Sequence, residues 1–238
     1  MSLQHLVDWL LNGTIQVGDG SLMAREVVGN LFGLASALLG MRRLVWAWPI
    51  GMVGNVLLFT VFVSGELNGL TQEPLWGQAG RQVIYLAAAV YGWYRWSASR
   101  RSSAAEDGAA IVPRWATGRE RVELVVAGVV GYAAAYLLLS QIGSWGVATE
   151  AWILAGSLLA TYGMARGWVE FWIVYILVDA VGVTTLVRAG YYPTAGMYLF
   201  YGVFCVLGLI TWWRVERRTH DTPPAPAAEH PEHAGASA

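Results

Sequence analysis

Seven stretches of this chain are long and almost uninterruptedly apolar, at 27–41, 46–63, 75–96, 122–141, 151–165, 168–187 and 191–213. A helix that crosses a bilayer needs about 20 mostly apolar residues. The runs are continuous rather than alternating, which specifies helices and not the strands of a barrel. Composition agrees. Hydrophobic residues make up 56% of the 238 and charged residues 13%, about half the share in soluble domains. The expected fold is therefore all-α, a polytopic membrane protein with seven transmembrane helices. All 15 basic residues are arginine, so lysine Schiff-base chemistry, including a retinal pigment of the usual kind, is excluded. A single cysteine, Cys205, leaves no internal disulfide and no cysteine-based zinc site. The net charge of −1 offers no basis for a nucleic-acid partner.

The segments between the runs complete the organisation. Residues 1–20 place Leu3, Leu6, Val7, Leu10 and Leu11 on one helical face, as an amphipathic segment on the membrane surface would. Residues 97–121 form the one substantial polar loop, 122–141 a linker helix, and 214–238 a disordered tail. Following the crossings, twelve arginines fall on one side and three (Arg25, Arg81, Arg188) on the other. The positive-inside rule makes the arginine-rich side cytoplasmic, with the N-terminus outside and the C-terminus inside. Trp46, Trp48, Trp93, Trp96, Trp212 and Trp213 fall near run ends on that side, as an interfacial belt would.

Two parts of the chain, 25–96 and 150–213, share ordered spacings. Gly33, Gly40, Met41 and Arg43 repeat as Gly156, Gly163, Met164 and Arg166. Trp48 and Asn55 repeat as Trp172 and Asp179. Gly80, Tyr85, Gly92 and Trp96 repeat as Gly196, Tyr201, Gly208 and Trp212. Each unit holds three runs, and one further crossing separates them. An odd linker leaves both units in the same orientation, the parallel-repeat plan of some transporters, whose substrate site lies near the midplane where the repeats meet. Asn55 and Asp179 fall roughly 13 Å, and Tyr85 and Tyr201 roughly 15 Å, into their helices at 1.5 Å per residue. All four approach the middle of a core about 30 Å thick.

Asp179 is the sharpest chemical signal, because a charge at mid-helix is costly unless it faces an interior or a water path. Trp172, Tyr175 and Asp179 share one helical face, two aromatics beside a carboxylate, which suits a flat polar or cationic ligand. The matching face of the second run carries Trp48, Gly51 and Asn55. Gln78, Gln82 and Tyr85 share a face of the third run, and Tyr198 and Tyr201 take the positions of Gln82 and Tyr85 in the seventh. Amides and phenols suit ribose hydroxyls and carboxamides, and equally hydrogen bonds between helices. Asn30 is a weaker interior candidate. Gly33, Gly51, Gly54, Gly156 and Gly182 are placed for close helix contact. Glu66, Glu73 and Glu150 read as solvated outer carboxylates, Arg81 as a partner for Glu73, and Glu170 as a cap at the start of its helix. The four histidines lie outside the runs. No metal site, no cofactor, and no nucleotide-binding, zinc-protease or serine-hydrolase motif is expected.

Several motifs together resemble the PnuC family of vitamin transporters. They are the G-N-x-x-G at Gly29–Gly33, the W-x-W-P-I-G from Trp46 to Gly51, the Y-G-W-x-x-W from Tyr91 to Trp96 and the E-F-W-x-x-Y-x-x-x-D from Glu170 to Asp179. The resemblance runs from about residue 25 to 213. It implies a SWEET-like 3+1+3 fold, a homotrimer, and facilitated diffusion of a vitamin that a cytosolic kinase then traps. The family's W-x-x-W-x-x-x-N substrate motif is matched by Trp172, with Tyr175 and Asp179 in the remaining places. Nicotinamide riboside is the family default and the leading expectation. Riboflavin is the alternative, since the I-V-P-R-W-A-T beginning at Ile111 and the segment around Asp179 are similar to a riboflavin-transporting branch. A seven-helix receptor or membrane enzyme is the other class, but an enzyme needs a nucleophile and base, and only Asp179 stands clearly inside.

Overall fold

Backbone amides in hydrocarbon must find partners within the protein, and the apolar runs meet that demand as helices. The computed structural model describes residues 2–17, 20–64, 66–67, 70–71, 76–102, 108–141, 146–188 and 192–221. A surface helix α1 (Leu3–Asn12) leads into a hairpin of β1 (Thr14–Val17) and β2 (Gly20–Met23). Then come α2 (Ala24–Met41), α3 (Ala47–Ser64), a small hairpin of β3 (Glu66–Leu67) and β4 (Leu70–Thr71), α4 (Trp76–Ser102), α5 (Gly118–Gln141), α6 (Val147–Arg166), α7 (Glu170–Arg188) and α8 (Tyr192–Asp221). The chain is a mostly helical, polytopic membrane protein. Among the described residues α3, α5 and 195–219 of α8 are long and apolar enough to cross a membrane. On α5, Val122, Val125, Val126, Val129 and Val130 are all more than half exposed, a surface made for lipid rather than water.

The helices pack as two chains of neighbours. α2 lies on α3 and α3 on α4; α6 lies on α7 and α7 on α8. α5 packs on α6, α4 runs along α6, and α8 meets α2 over a short stretch. Matching contacts recur in the two sets. The Trp48 ring fills the space that a side chain at Gly92 would need, and the Trp172 ring does the same at Gly208. A Cβ on either glycine would sit 2.3–2.4 Å from the indole. Trp48 meets Trp96 edge-on at 5.4 Å, and Trp172 meets Trp212 edge-on at 6.1 Å. Gly208→Ala is expected to cost about 1–3 kcal/mol through overpacking. A thermal melt of the purified variant against wild type measures it, and an unchanged midpoint refutes the tight packing.

The α2–α3 and α6–α7 turns also match. Arg43 (φ 61) and Gly167 (φ 73) are both left-handed. Arg43 N–H donates to Gly40 O and Leu44 N–H to Leu39 O; Gly167 N–H donates to Met164 O and Trp168 N–H to Gly163 O. Both turns close a helix C-terminus with the same pair of bonds. Arg43 therefore corresponds to Gly167, one residue off the spacing that aligned it with Arg166.

Three of the six tryptophans expected in the interfacial belt are elsewhere. Trp46, Trp93 and Trp213 are exposed, but Trp48, Trp96 and Trp212 are buried with Phe171 and Trp172 in one core at the arginine-rich end. They lie on inward helix faces, where burial of a large ring contributes more than an interfacial position. Two bonds cross between the helix sets there. The Trp96 indole N–H donates to Met164 O and the Trp212 indole N–H to Met41 O, each at 3.1 Å.

The polar loop is shorter and more ordered than its composition suggests. α4 continues through Arg100 and Arg101, α5 begins at Gly118, and α8 continues to Asp221, inside the segment expected to be a disordered tail. Residues 108–117 form a strap across the same end. Ala110 N–H donates to Arg43 O, Arg114 N–H donates to Gly167 O and Arg114 O accepts from Val169 N–H in the α6–α7 turn, and Ala116 N–H donates to the Glu170 carboxylate. Glu170 also accepts from Arg121 at 3.0 Å, so from the first turn of its own helix it also anchors the strap. The Glu120 carboxylate takes both Arg114 nitrogens (2.7 and 2.6 Å) and Arg166 (3.1 Å). Its hydrogen bonds hold the Arg114 guanidinium above its ordinary pKa, so this clamp stays charged at physiological pH.

Candidate functional site

α7 starts tightly after the left-handed Gly167, and that start fixes which face turns inward. Trp172 and Asp179 are 4% and 8% exposed. With Tyr175 they line a cavity of about 560 Å³ enclosed by α2, α4, α6, α7 and α8. Gln78, Gln82 and Tyr85 of α4 line it opposite Tyr198 and Tyr201 of α8. Asp179 stands at the α7–α8 seam, packed on Gly202, and also borders an apolar groove between these helices. Its Oδ2 is buried without a hydrogen-bond partner among the described residues. So is the Trp172 indole N–H.

Trp48 and Asn55 line a second cavity of about 280 Å³, with Gly51 between them in the register of Tyr175. Gly33, Ser36, Tyr85, Ser157, Met164 and Tyr175 line both spaces, which makes them two lobes of one interior. Tyr85 and Tyr175 stand at the junction. Tyr85 stands beside Ser157. Thr161 gives its own hydroxyl proton to Ser157 O (2.7 Å), so Tyr175 OH donates to Thr161 Oγ1 at 3.0 Å. The two-lobed interior thus collects all ten residues singled out above. Asn30 also lines the large lobe, exposed, with its amide on Glu26 O.

Other assignments change. Arg81 pairs with Glu150 of α6, a carboxylate that is partly exposed and held in this ion pair; Glu73 lies outside the described residues. Of the glycines, Gly51 meets Ser36, Gly54 meets the α2 backbone at Gly29 and Gly33, Gly156 meets Val178 and Gly182 meets the Tyr198 ring, whereas a Cβ at Gly33 would meet nothing within 4 Å. Gly33 opens its backbone to the cavity instead. Ser157 and Thr161 went unnoticed, although their i, i+4 spacing on an apolar helix was a legible signal. Cys205, which lines the large lobe near Asp179, carries no such signal.

The lobes have the chemistry of a small-molecule site: concave, mostly apolar, with a few converging polar groups, and the larger, at about 560 Å³, has a volume within the roughly 300–1,000 Å³ common for such sites. Toward the arginine-poor end the larger lobe is lined by Asn30 and Met197, both exposed. The aromatic core closes the opposite end.

Comparison with known proteins agrees with this architecture. Residues 23–214 match the family model described as nicotinamide mononucleotide transporter. The chain is 36% identical over 214 residues to the riboflavin/roseoflavin transporter RibM of Streptomyces davaonensis, covering 89% of this chain and 95% of that protein. It is 22% identical over 228 residues to the nicotinamide riboside transporter PnuC of Escherichia coli, covering 85% and 90%. The fold is similar to a crystal structure of the vitamin B3 transporter PnuC, with a TM-score of 0.62, 18% identity and 82% of each chain covered.

Proposed function

The chain belongs to the nicotinamide mononucleotide transporter family, the PnuC family of membrane vitamin transporters, and from that premise we propose that it carries riboflavin across the cytoplasmic membrane. It is a transporter and not an enzyme. The observation that carries the substrate is the 36% identity to a riboflavin/roseoflavin transporter over 89% of the chain, against 22% to a nicotinamide riboside transporter. This reverses the order in which the sequence motifs alone rank the two vitamins. The chemistry is compatible. An isoalloxazine ring stacks on Trp172 and Tyr198, and its imide N–H meets the unpartnered Asp179 oxygen. Nicotinamide riboside is the second reading, because that same carboxylate would pair with a pyridinium charge.

Transport proceeds by alternating access between two parallel three-helix repeats, α2–α4 and α6–α8, joined by α5. The matched Trp–Gly contacts, the matched turns and the exchanged indole bonds support the repeat reading. The positive-inside bias supports an outside N-terminus, so the described state is open outward and sealed by tryptophans inside. Within that state α4 and α6 are tied at both ends, by Arg81–Glu150 and by Trp96–Met164. Substrate therefore enters beside Asn30 and Met197, between α2 and α8. No ion is coupled, and a cytosolic kinase makes uptake one-way.

Proteoliposomes preloaded with buffer and offered radiolabelled vitamin test this. The expected result is saturable riboflavin entry, equal with and without an imposed pH gradient. Saturable nicotinamide riboside entry with no riboflavin entry gives the second reading. Binding without flux makes the chain a receptor and ends both.

A further inference from the structure

Both proposed vitamins consist of a flat ring joined to a polyhydroxy sugar part, and the interior consists of two unequal lobes. Resting on the transport reading above, we propose that the smaller lobe is the sugar site, holding the ribityl or ribose hydroxyls while the ring lies in the larger lobe. Five aromatic side chains, Phe171, Trp172, Tyr198, Tyr201 and Phe204, wall the larger lobe alone, against Trp48 for the smaller, with Tyr85 and Tyr175 shared. In the smaller one α3 carries Gly51 where α7 carries Tyr175, and a Cβ there would stand 2.8 Å from Ser36 Oγ, so Ser36 comes close where a ring would otherwise stand.

The hydrogen-bonding groups of the small lobe complement hydroxyls. Trp48 is 4% exposed and its indole N–H has no partner among the described residues, so it is a buried donor awaiting an acceptor. Ser36 spends its proton on Ala47 O at 2.7 Å, which leaves its lone pairs to accept. Asn55 offers both a donor and an acceptor. A donor, an acceptor and a group that is both match alcohols, which donate and accept at one atom. The carboxylate that would favour a cation stands in the other lobe. At the neck, Gly33 has nothing within 4 Å of the place a Cβ would take, so a linking chain can pass against bare backbone.

Two pairs of ligands test this on the purified full chain: riboflavin against lumiflavin, the same isoalloxazine with methyl in place of ribityl, and nicotinamide riboside against 1-methylnicotinamide, the same pyridinium with methyl in place of ribose. Wild type is expected to bind the sugar-bearing member of one pair at least tenfold more tightly than its bare ring. Asn55→Leu, which keeps the volume and removes the hydrogen bonds, is expected to erase about tenfold of that preference, with the bare ring bound within twofold of wild type. Trp48→Phe should act in the same direction with a smaller loss. A preference unchanged in both variants overturns the sugar site and leaves the transport reading standing, as does an equal loss for both members of the pair. If wild type binds neither sugar-bearing vitamin, the substrate reading itself falls and the sugar site with it.

Discussion

Replacing Trp172 with alanine is expected to weaken the bound vitamin at least tenfold, about 1.4 kcal/mol, and to destabilise the protein by about 3–5 kcal/mol. The two losses have one origin. Trp172 packs Phe171 at 4.4 Å and Trp212 at 6.1 Å, and its ring fills the notch at Gly208. The same ring is a wall of the larger lobe. Removing it takes away a stacking surface and the support of the core below it. Trp172→Phe separates the two roles: an aromatic face remains and the unpartnered indole N–H is gone. Most of the affinity should survive in the phenylalanine variant. Equilibrium titration with flavin fluorescence, beside a thermal melt, reads both quantities. An alanine variant that keeps wild-type affinity removes Trp172 from the site.

Much of this arrangement is legible in the sequence because hydrocarbon leaves few choices. A charged residue at mid-helix must turn inward, so Asp179 locates the interior from sequence alone, and the three- and four-residue spacings bring Trp172 and Tyr175 with it. Trp48 and Asn55 follow from the repeated spacing. What escapes is whatever depends on a partner distant in the chain. Nothing near Arg81 indicates that its carboxylate is Glu150, sixty-nine residues on. Trp96 and Trp212 have the flanks of belt residues, and only the crossing of α4 with α6 and of α8 with α2 buries them. The strap at 108–117 is short and follows neither a helical nor an alternating period, and its order comes from backbone groups left open at two helix ends. The hairpins of β1–β2 and β3–β4 have too few residues for a period to show.

The largest change in conformation is expected from Trp96→Phe together with Trp212→Phe. Each indole N–H donates to a carbonyl in the last turn of the opposite set's leading helix, Met164 O in α6 and Met41 O in α2. Opening the arginine-rich end requires α4 to leave α6 and α8 to leave α2 there, so both bonds must break. A hydrogen bond of this kind contributes about 1 kcal/mol net. Losing two shifts the equilibrium toward the inward-open state by about 2 kcal/mol, roughly thirtyfold. Phenylalanine keeps most of the packing between the rings, so the shift reports the bonds. A cysteine at Met164, in a Cys205→Ser background, sits at the inner floor of the cavity. An impermeant thiol reagent applied from the arginine-rich side should label it slowly in that background and about thirtyfold faster in the double variant. Arg81→Gln, which unties the opposite end of the α4–α6 seam, should slow the labelling. Equal rates in all three proteins would mean that the indole bonds hold shape without governing access, and the tryptophan core would then be a floor rather than a gate.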